Sequence, residues 1–599
     1  MCGIAGLVGF CGDDPQNTGK LDAIMDHFAQ ALAHRGPDGE GRYRRHSCLL
    51  VHTRLAIVDV AGGAQPFVSR AGQEDEIALI ANGEIYNDPV LRQKMPGTDF
   101  ATLSDCEPAL HLYRDLGLDY VDQLRGMYAI AIWDEARERL VLSRDPFGIK
   151  TLYYAPTPSG FAFASEPAAL LGGSFVGAVL NERKRDELLQ LQFTTGTETA
   201  FAGIHKVAPG ETIVVEKGAI VARRHRPAVP QEGPRAQSRT AALTQLDSVL
   251  NDTVEVHQRA DVPYGMFLSG GIDSTVLLAM MNRLNDRPVM AFTAGFSGTD
   301  VPDERAHARA LAKAQNADHI EVEFGERDFW SELPAIVRHM DDPVADYALL
   351  PTWKLAQTAH REGIKVVLSG EGGDELFAGY GRYRSAKRWL FAKDMYRTGI
   401  LDGLGVLRTE DPARAWRAGI AQAEISTRVA GQSRLQGAQA VDISTWLAGD
   451  LLPKIDRMLM AHGVEGRVPF LDPKLAEFAF TLPDRFKIRR GLGKFLLRDW
   501  LSTALPGARP FAKKRGFTVP VGAWIAGQGG RAGDAVARQE AILQICKPDV
   551  VKDLFAGSVG RLGGRAGKAA WTLLFYALWH KIHVQNVPAE GDVFDVLGS

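Results

Sequence analysis

The stretch YGMFLSGGIDSTVLLAMM, residues 264–281, sets an apolar run, a glycine turn and a second apolar run in immediate succession. The first run reads as a strand and the second as a helix, with Ser269-Gly270-Gly271-Ile272-Asp273-Ser274 between them. Such a turn aims unpaired backbone N–H groups and a helix N-terminus at one point, which suits phosphate. It is not a Walker loop, because the GxxxxGK[ST] pattern and its lysine are absent. A second unit of the same construction, KVVLSGEGGDELFAGYGRY (365–383), supplies Ser369, Gly370, Glu371 and Asp374. Around both, short apolar runs (YGMFLS, VMAFTAGF, KVVLSG) alternate with helical patterns (ALTQLDSVLNDTVEVH, STVLLAMMNRLN), the rhythm of an open parallel α/β sheet. Two glycine turns at the carboxyl ends of neighbouring parallel strands would form a crevice, the usual ligand position in such sheets.

Upstream the texture changes. From residue 1 to about 215, short segments (LLVHTRLAIVDV, IALIANGEIYN, MYAIAIWD, RLVLSRD, TLYYAP, GFAFASE) are separated by Gly, Pro and Asp clusters, which predicts a β-rich layered domain over 1–215. Residues 216–240 are polar and carry Pro227, Pro230 and Pro234 among charges, so they read as a linker. The α/β domain is then expected over 241–525, followed by a tail, 526–599, in which AAWTLLFYALWHKIHV predicts a packed apolar helix after Gly/Arg-rich text. At the other end Cys2 follows the initiator Met directly. If Met1 is removed, Cys2 offers a thiol and a free α-amine in one residue, and an α-amine with a pKa of about 7.7–8 is a competent base. The plainer reading of Cys2 is a small apolar residue opening a strand.

Composition narrows the classes. The chain has 599 residues, 45% hydrophobic and 24% charged, which is more than one core can use. Lys plus Arg total 69 against 72 Asp plus Glu, so there is no basic field for nucleic acid and no polybasic membrane patch. Five cysteines (Cys2, Cys11, Cys48, Cys106, Cys546) show neither zinc spacing nor a disulfide framework. No apolar run approaches the roughly 18 residues of a membrane span. A cytoplasmic protein with small-molecule partners is expected, with a homodimer as a candidate assembly.

Several segments now carry a resemblance. HRGPDGEG (34–41), HTRLAIVD (52–59), NGEIYN (82–87), SDCE (104–107) and RDPFGIK (144–150), with the opening Cys-Gly-Ile-Ala-Gly, resemble the class II glutamine amidotransferase domain. That resemblance implies a four-layer αββα N-terminal-nucleophile hydrolase fold. It implies Cys2 as nucleophile and base, Asn82 and the Gly83 N–H as oxyanion hole, Arg54 on the glutamine α-carboxylate, and Glu84 and Asp105 on its α-ammonium. SGGIDS resembles the pyrophosphate loop of ATP pyrophosphatases, and with IDRMLMAHGVEGRVPFLD (455–472), GLGKFLLRDW (491–500) and KKRGFTVP (513–520) the second half resembles asparagine synthetase. The chain as a whole is thus expected to be an α/β and α+β multidomain protein of that family, its second domain a parallel-sheet α/β ATP-pyrophosphatase domain.

By the same resemblance Leu268, Ser369 and Gly370 would contact AMP, and Ser269, Gly270, Gly271 and Ser274 would cradle pyrophosphate. Asp273 and Asp374 would lie near pyrophosphate and Mg²⁺, since carboxylates repel a triphosphate unless a cation bridges them. Glu371 would act as base or orient ammonia, and Lys494 would neutralise charge on the transferred phosphoryl group. An intramolecular ammonia route between the sites is also implied. The expected substrates are glutamine, ATP and, by default, L-aspartate. Three positions depart from the family pattern: Thr151, Gly466 and the segment DDPVADYALLP (341–351). The last lies in the synthetase half and leaves a larger acid open as the acceptor. A β-lactam-synthetase-like cyclase is disfavoured by the presence of Cys2, Arg54, Asn82 and Asp105 together.

Overall fold

A computed structural model describes residues 2–10, 18–158, 160–172, 175–296, 304–386, 398–512, 518–557 and 564–599. Met1, Cys11, residues 513–517 of the KKRGFTVP segment and 560–563 of the Gly/Arg-rich stretch lie outside the described residues.

The N-terminal half is built on two six-stranded antiparallel sheets. In the first, Gly3–Val8 lies between Gly160–Ala164 and Cys48–Arg54; in the second, Gly126–Asp134 lies between Ile77–Ile85 and Arg139–Arg144. Runs such as Gly126–Asp134 are buried at every residue, because each sheet is covered on both faces. Ile4, Leu50, Phe161 and Phe163 of one sheet meet Ile80, Ala131, Trp133 and Leu142 of the other. Outside them, the helix Thr18–Leu32 covers the first sheet with Phe28 and Leu32, and the helix Glu107–Leu116 covers the second with Leu110 and Tyr113. The result is the four-layer αββα arrangement expected from the sequence.

The second half carries a five-stranded sheet, all parallel, in the order Asp318–Glu323, Met290–Gly295, Tyr264–Phe267, Val366–Leu368, Glu465–Arg467. The strands before the two glycine turns are immediate neighbours, so the turns emerge side by side.

Two expected boundaries move. Residues 216–240 are not simply a linker: Ala219–His225 pairs antiparallel with Glu211–Glu216 as an edge strand, and the proline-rich connection begins only after it. Its text looks like a linker because an edge strand with a solvent face can be charged; Arg223 meets Glu211 at 2.5 Å and Arg224 meets Asp119 at 2.6 Å. Ser238 then caps the helix Arg239–His257, accepting from the Ala241 N–H at 3.1 Å. Nor do residues 526–599 form a separate tail. The helix Arg565–His583 is enclosed on nearly every side, as an all-round apolar helix must be. Trp571 donates to the Ala345 carbonyl at 2.6 Å and its ring lies 5.9 Å from that of Phe329, tilted by 46°, while the Trp579 ring lies 5.4 Å from Phe201 of the N-terminal half. Among the described residues, no helix is long and apolar enough to cross a membrane.

The halves meet through buried charge. Arg35 pairs with Asp456 at 2.9 Å and with Glu166 at 2.6 Å, and Arg457 pairs with Glu166 at 2.5 Å and Asp341 at 2.8 Å. Further pairs join Arg125 to Asp472 at 2.8 Å and Lys206 to Asp342 at 2.8 Å.

Because Trp579 is fully buried and bridges both halves, Trp579→Ala is expected to cost about 3–5 kcal/mol. Differential scanning calorimetry should show the melting temperature falling for both halves together; a loss confined to one half would contradict the bridging role.

Candidate active sites

Cys2 stands at the head of the central strand Gly3–Val8, with its backbone N–H donating to Asn82 Oδ1 at 3.1 Å and its carbonyl accepting from Arg35 Nε at 3.2 Å. Asn82 comes from the facing sheet, where the strand Ile77–Ile85 holds Asn82, Gly83 and Glu84 in one row. A side chain at Gly83 would press within 2.7 Å of the Tyr128 Cα, so only glycine lets the neighbouring strand come this close. Asn82 is fully buried, yet its Nδ2 has no hydrogen-bond partner in the protein. A buried, unsatisfied donor costs roughly 1–3 kcal/mol, and an oxyanion beside Cys2 would satisfy it. Burial pushes the Cys2 thiol above its ordinary value, against the pull of the Leu55 backbone and Arg54. A thiol held protonated needs a base to react.

Two carboxyls lie on the same side. Glu84 spends Oε2 on Arg467 at 3.0 Å and leaves Oε1 buried with no hydrogen-bond partner. Asp105 accepts from the Ile85 N–H at 2.6 Å. Burial lifts both above the ordinary carboxylate range, and the Asp105 charge lifts Glu84 further. Carboxyls raised by burial and by neighbouring carboxylates, Asp105 beside Glu84 and Asp88 beside Asp105, favour a nearby cation. Arg54 is near enough to pull on Cys2, but its guanidinium also closes the following loop, donating to the carbonyls of Val60 at 3.0 Å and Asp59 at 2.6 Å.

In the second half the two glycine turns touch. A Cβ at Gly370 would sit 2.9 Å from the Asp273 Cβ and 3.2 Å from the Ser274 nitrogen, so this glycine is what allows the turns to meet. Gly270 has φ of +70°, and Gly271 leads into the 13-residue helix Ile272–Leu284. Within the first turn Ser269 and Ser274 hydroxyls lie 3.1 Å apart. The first residue after the strand Tyr264–Phe267, Leu268, is buried and donates to Phe292 O at 2.8 Å; Ser369 after Val366–Leu368 donates to Arg467 O at 2.8 Å.

Lys494 enters from across the crevice. Its ammonium bridges Asp273 and Asp374, the latter at 2.7 Å. Burial opposes its charge, but the two carboxylates outweigh that and hold it above the usual lysine value. Its side chain is 4% exposed against 13% and 21% for the aspartates, so the carboxylates open outward while the cation sits behind them. Glu371 faces Lys454 at 3.8 Å, and Lys454 pairs with Asp346 at 3.1 Å. Burial raises the Glu371 carboxyl, with Lys454 pulling the other way.

The structure thus sets Asn82 beside Cys2 and brings Asp273, Asp374 and Lys494 together, while the Arg54 guanidinium is bonded to the loop that follows it. Arg35, Lys454 and Arg467 were not expected. All three lie in or beside segments that carried the resemblance, but the carboxylate partners of Arg35 are 131 and 421 residues away and Glu84 lies 383 from Arg467, separations that local pattern cannot bridge.

Magnesium is the group the fold implies. Asp273 and Asp374 fit it: two outward-facing carboxylates already converge on one cationic centre, and Mg²⁺ is commonly held by one or two carboxylates plus substrate phosphates. Among the described residues no cluster of three or more His, Cys, Asp or Glu forms a cation cage by itself. Lys494→Met should therefore leave the aspartates repelling one another. Its melting temperature should rise on adding Mg²⁺ alone by more than that of the unaltered protein; equal responses would show that the carboxylates do not share a cation site.

The comparisons with known proteins agree with this geometry. Residues 245–581 match the family described as Asparagine synthase, and residues 1–226 match the family described as Glutamine amidotransferase domain. The Bacillus subtilis protein named asparagine synthetase [glutamine-hydrolyzing] 1 is 29% identical, covering 98% of this chain and 97% of its own. A Mycobacterium tuberculosis protein that carries the asparagine synthetase name provisionally is 32% identical over 98% of both chains. Asparagine synthetase B [glutamine-hydrolyzing] of Escherichia coli is 28% identical over 88% of this chain and 83% of its own. An αββα half opening on Cys2 and a paired-turn parallel-sheet half in one chain, matched over 98% of its length by two of these relatives, make this protein a member of the glutamine-hydrolysing asparagine synthetase family.

Proposed function

We propose that this chain is a glutamine-dependent asparagine synthetase, converting L-aspartate, ATP, glutamine and water to asparagine, glutamate, AMP and pyrophosphate. The observation that carries the first half-reaction is the buried, unpartnered Asn82 Nδ2 beside Cys2. Removal of Met1 would turn the Cys2 nitrogen, 3.1 Å from Asn82 Oδ1, into an α-amine able to take the thiol proton. The Cys2 sulfur attacks the glutamine side-chain amide, and Asn82 Nδ2 with the Gly83 N–H holds the oxyanion. Collapse expels ammonia and leaves a thioester, which water hydrolyses to glutamate. Glu84 Oε1 and Asp105 hold the α-ammonium, and Arg54 takes the α-carboxylate.

In the second half, the side-by-side turns carry the reading. Leu268, Ser369 and Gly370 bind the AMP part of ATP, while Ser269, Gly270, Gly271 and Ser274 cradle the departing pyrophosphate. The aspartate β-carboxylate attacks the α-phosphorus and pyrophosphate leaves. Lys494 offsets the negative charge that develops, from behind Asp273 and Asp374. Mg²⁺ held by those aspartates would neutralise phosphate oxygens when bound. Ammonia then attacks the acyl-adenylate, AMP leaves, and Glu371, its carboxyl raised by burial, orients the ammonia and takes its proton.

The departure at 341–351 reaches this site, since Asp346 is tied to Lys454 opposite Glu371. The deciding assay supplies MgATP and glutamine, with aspartate, larger carboxylic acids or no acceptor, and follows AMP, pyrophosphate and the amide product by mass. Aspartate-dependent AMP matched by asparagine is expected. Glutamine hydrolysis with AMP formed only on a larger acid would replace aspartate as the substrate. In the same assay Asn82→Ala should lower glutamine-dependent synthesis on the order of 100- to 1000-fold while leaving ammonia-dependent synthesis near normal. Glutamine binding to a Cys2→Ala chain should also release protons, because the ligand ammonium favours ionised Glu84 and Asp105, whose carboxyls burial has raised. Calorimetric heats that do not vary with buffer ionisation enthalpy would refute that role.

A further inference from the structure

Arg467 belongs to the second half, yet its side chain ends in the first. It closes the three-residue strand Glu465–Arg467 at the margin of the parallel sheet, paired with Leu368. Its carbonyl accepts the Ser369 N–H at 2.8 Å, the first residue of the second glycine turn. Its guanidinium is fully buried: Nε donates to Glu465 Oε1 at 2.5 Å and Nη1 to the carbonyls of His257 at 2.9 Å and Arg259 at 2.7 Å, while Nη2 makes no hydrogen bond and faces Glu84 Oε2 as an ion pair at 3.0 Å. One residue thus grips the nucleotide turn by its backbone and a carboxylate of the glutamine site by its side chain. With the fork hydrogen-bonded to three partners and charge-paired with Glu84, a shift of the backbone at Ser369 is not readily absorbed by rotation of the side chain. It must move the guanidinium, and with it the position and charge environment of Glu84.

We propose that Arg467 is a positioning residue that makes glutamine affinity depend on nucleotide occupancy: ordering of the Ser369 turn by ATP sets the Arg467 guanidinium, which sets Glu84 for the ligand's α-ammonium. The inference rests on the glutamine-site and nucleotide-site assignments above. It does not require that aspartate be the acceptor. Nothing in the chemistry of either site needs Arg467 to touch a substrate, so its effect is on the coupling between sites. Coupling of this kind is reciprocal, and the factor by which ATP changes glutamine affinity equals the factor by which glutamine changes ATP affinity.

The test uses the full chain with Cys2→Ala, which blocks hydrolysis, and measures glutamine and ATP dissociation constants by calorimetry, each with and without the other ligand at saturation. With Arg467 in place, ATP should tighten glutamine at least about fivefold, and glutamine should tighten ATP by the same factor. Adding Arg467→Lys keeps a positive charge but removes the fork, and the ratio should fall to within about twofold of one while both ligands still bind. A purely structural role would weaken binding or lower the melting temperature without changing the ratio. A ratio near one in the chain with Arg467 overturns the proposal without any substitution at 467, so a lysine variant that failed to fold would not protect it. A fivefold ratio that survives Arg467→Lys overturns it too. Failure to bind glutamine under any condition would sink the glutamine-site reading and this coupling with it, whereas binding with a ratio of one sinks only the coupling.

Discussion

The constraint on which the rest depends is the buried charge between the two halves. Burial opposes ionisation of Glu166, but Arg457, His34 and Arg35 hold its carboxyl well below the ordinary range; Arg35 and Arg457 in turn stay charged because Asp456, Asp341 and Glu166 surround them. Each member would be an uncompensated charge if the halves separated within a dry interface, and removing one partner of such a pair commonly costs about 3–5 kcal/mol. An apolar contact of equal volume would serve stability as well. Directional charge pairs, unlike an apolar contact, admit only one docking register. Arg35 also donates to the Cys2 carbonyl, so the register of the interface also fixes the backbone at Cys2.

The same economy of placement governs the two sites. In the N-terminal half, sheet packing brings Asn82 opposite Cys2 and leaves Nδ2 without a protein partner, a cost that the fold bears in advance of any ligand. In the second half, close glycine contacts let Asp273 and Asp374 converge on Lys494. Both sites hold polar groups in arrangements that a ligand completes. Preorganisation of this kind lowers the reorganisation needed in the transition state. The terminal helix Arg565–His583 stiffens the assembly by packing Trp571 and Trp579 against elements of both halves.

Most of the chemistry was legible because it is written in short contiguous segments. SGGIDS, SGEGGD and NGEIYN each combine residues whose backbone must take a tight turn or approach closely, and such local demands leave a local signature. The β-rich layering was legible for a related reason, since strands such as Gly126–Asp134, covered on both faces, read as unbroken apolar runs, and the family resemblance supplied the four-layer order. The edge strand Ala219–His225 was not, since one solvent face made it look like the linker that follows. The place of residues 526–599 was missed because their apolar helix announces burial without saying against what.

The sequence alone determined the two folds, the paired glycine turns and the family to which the chain belongs, because these are written in contiguous segments that periodicity and resemblance can read. Only the tertiary structure decided the partners of Arg35, Lys454 and Arg467, the bonding of Arg54 to the loop that follows it, and the route by which one half grips the other. Arg35 reaches Asp456 across 421 positions and Lys454 reaches Asp346 across 108. An arginine in a sequence carries its charge wherever it lies, but which carboxylate neutralises it is set by the close packing of the two halves around it.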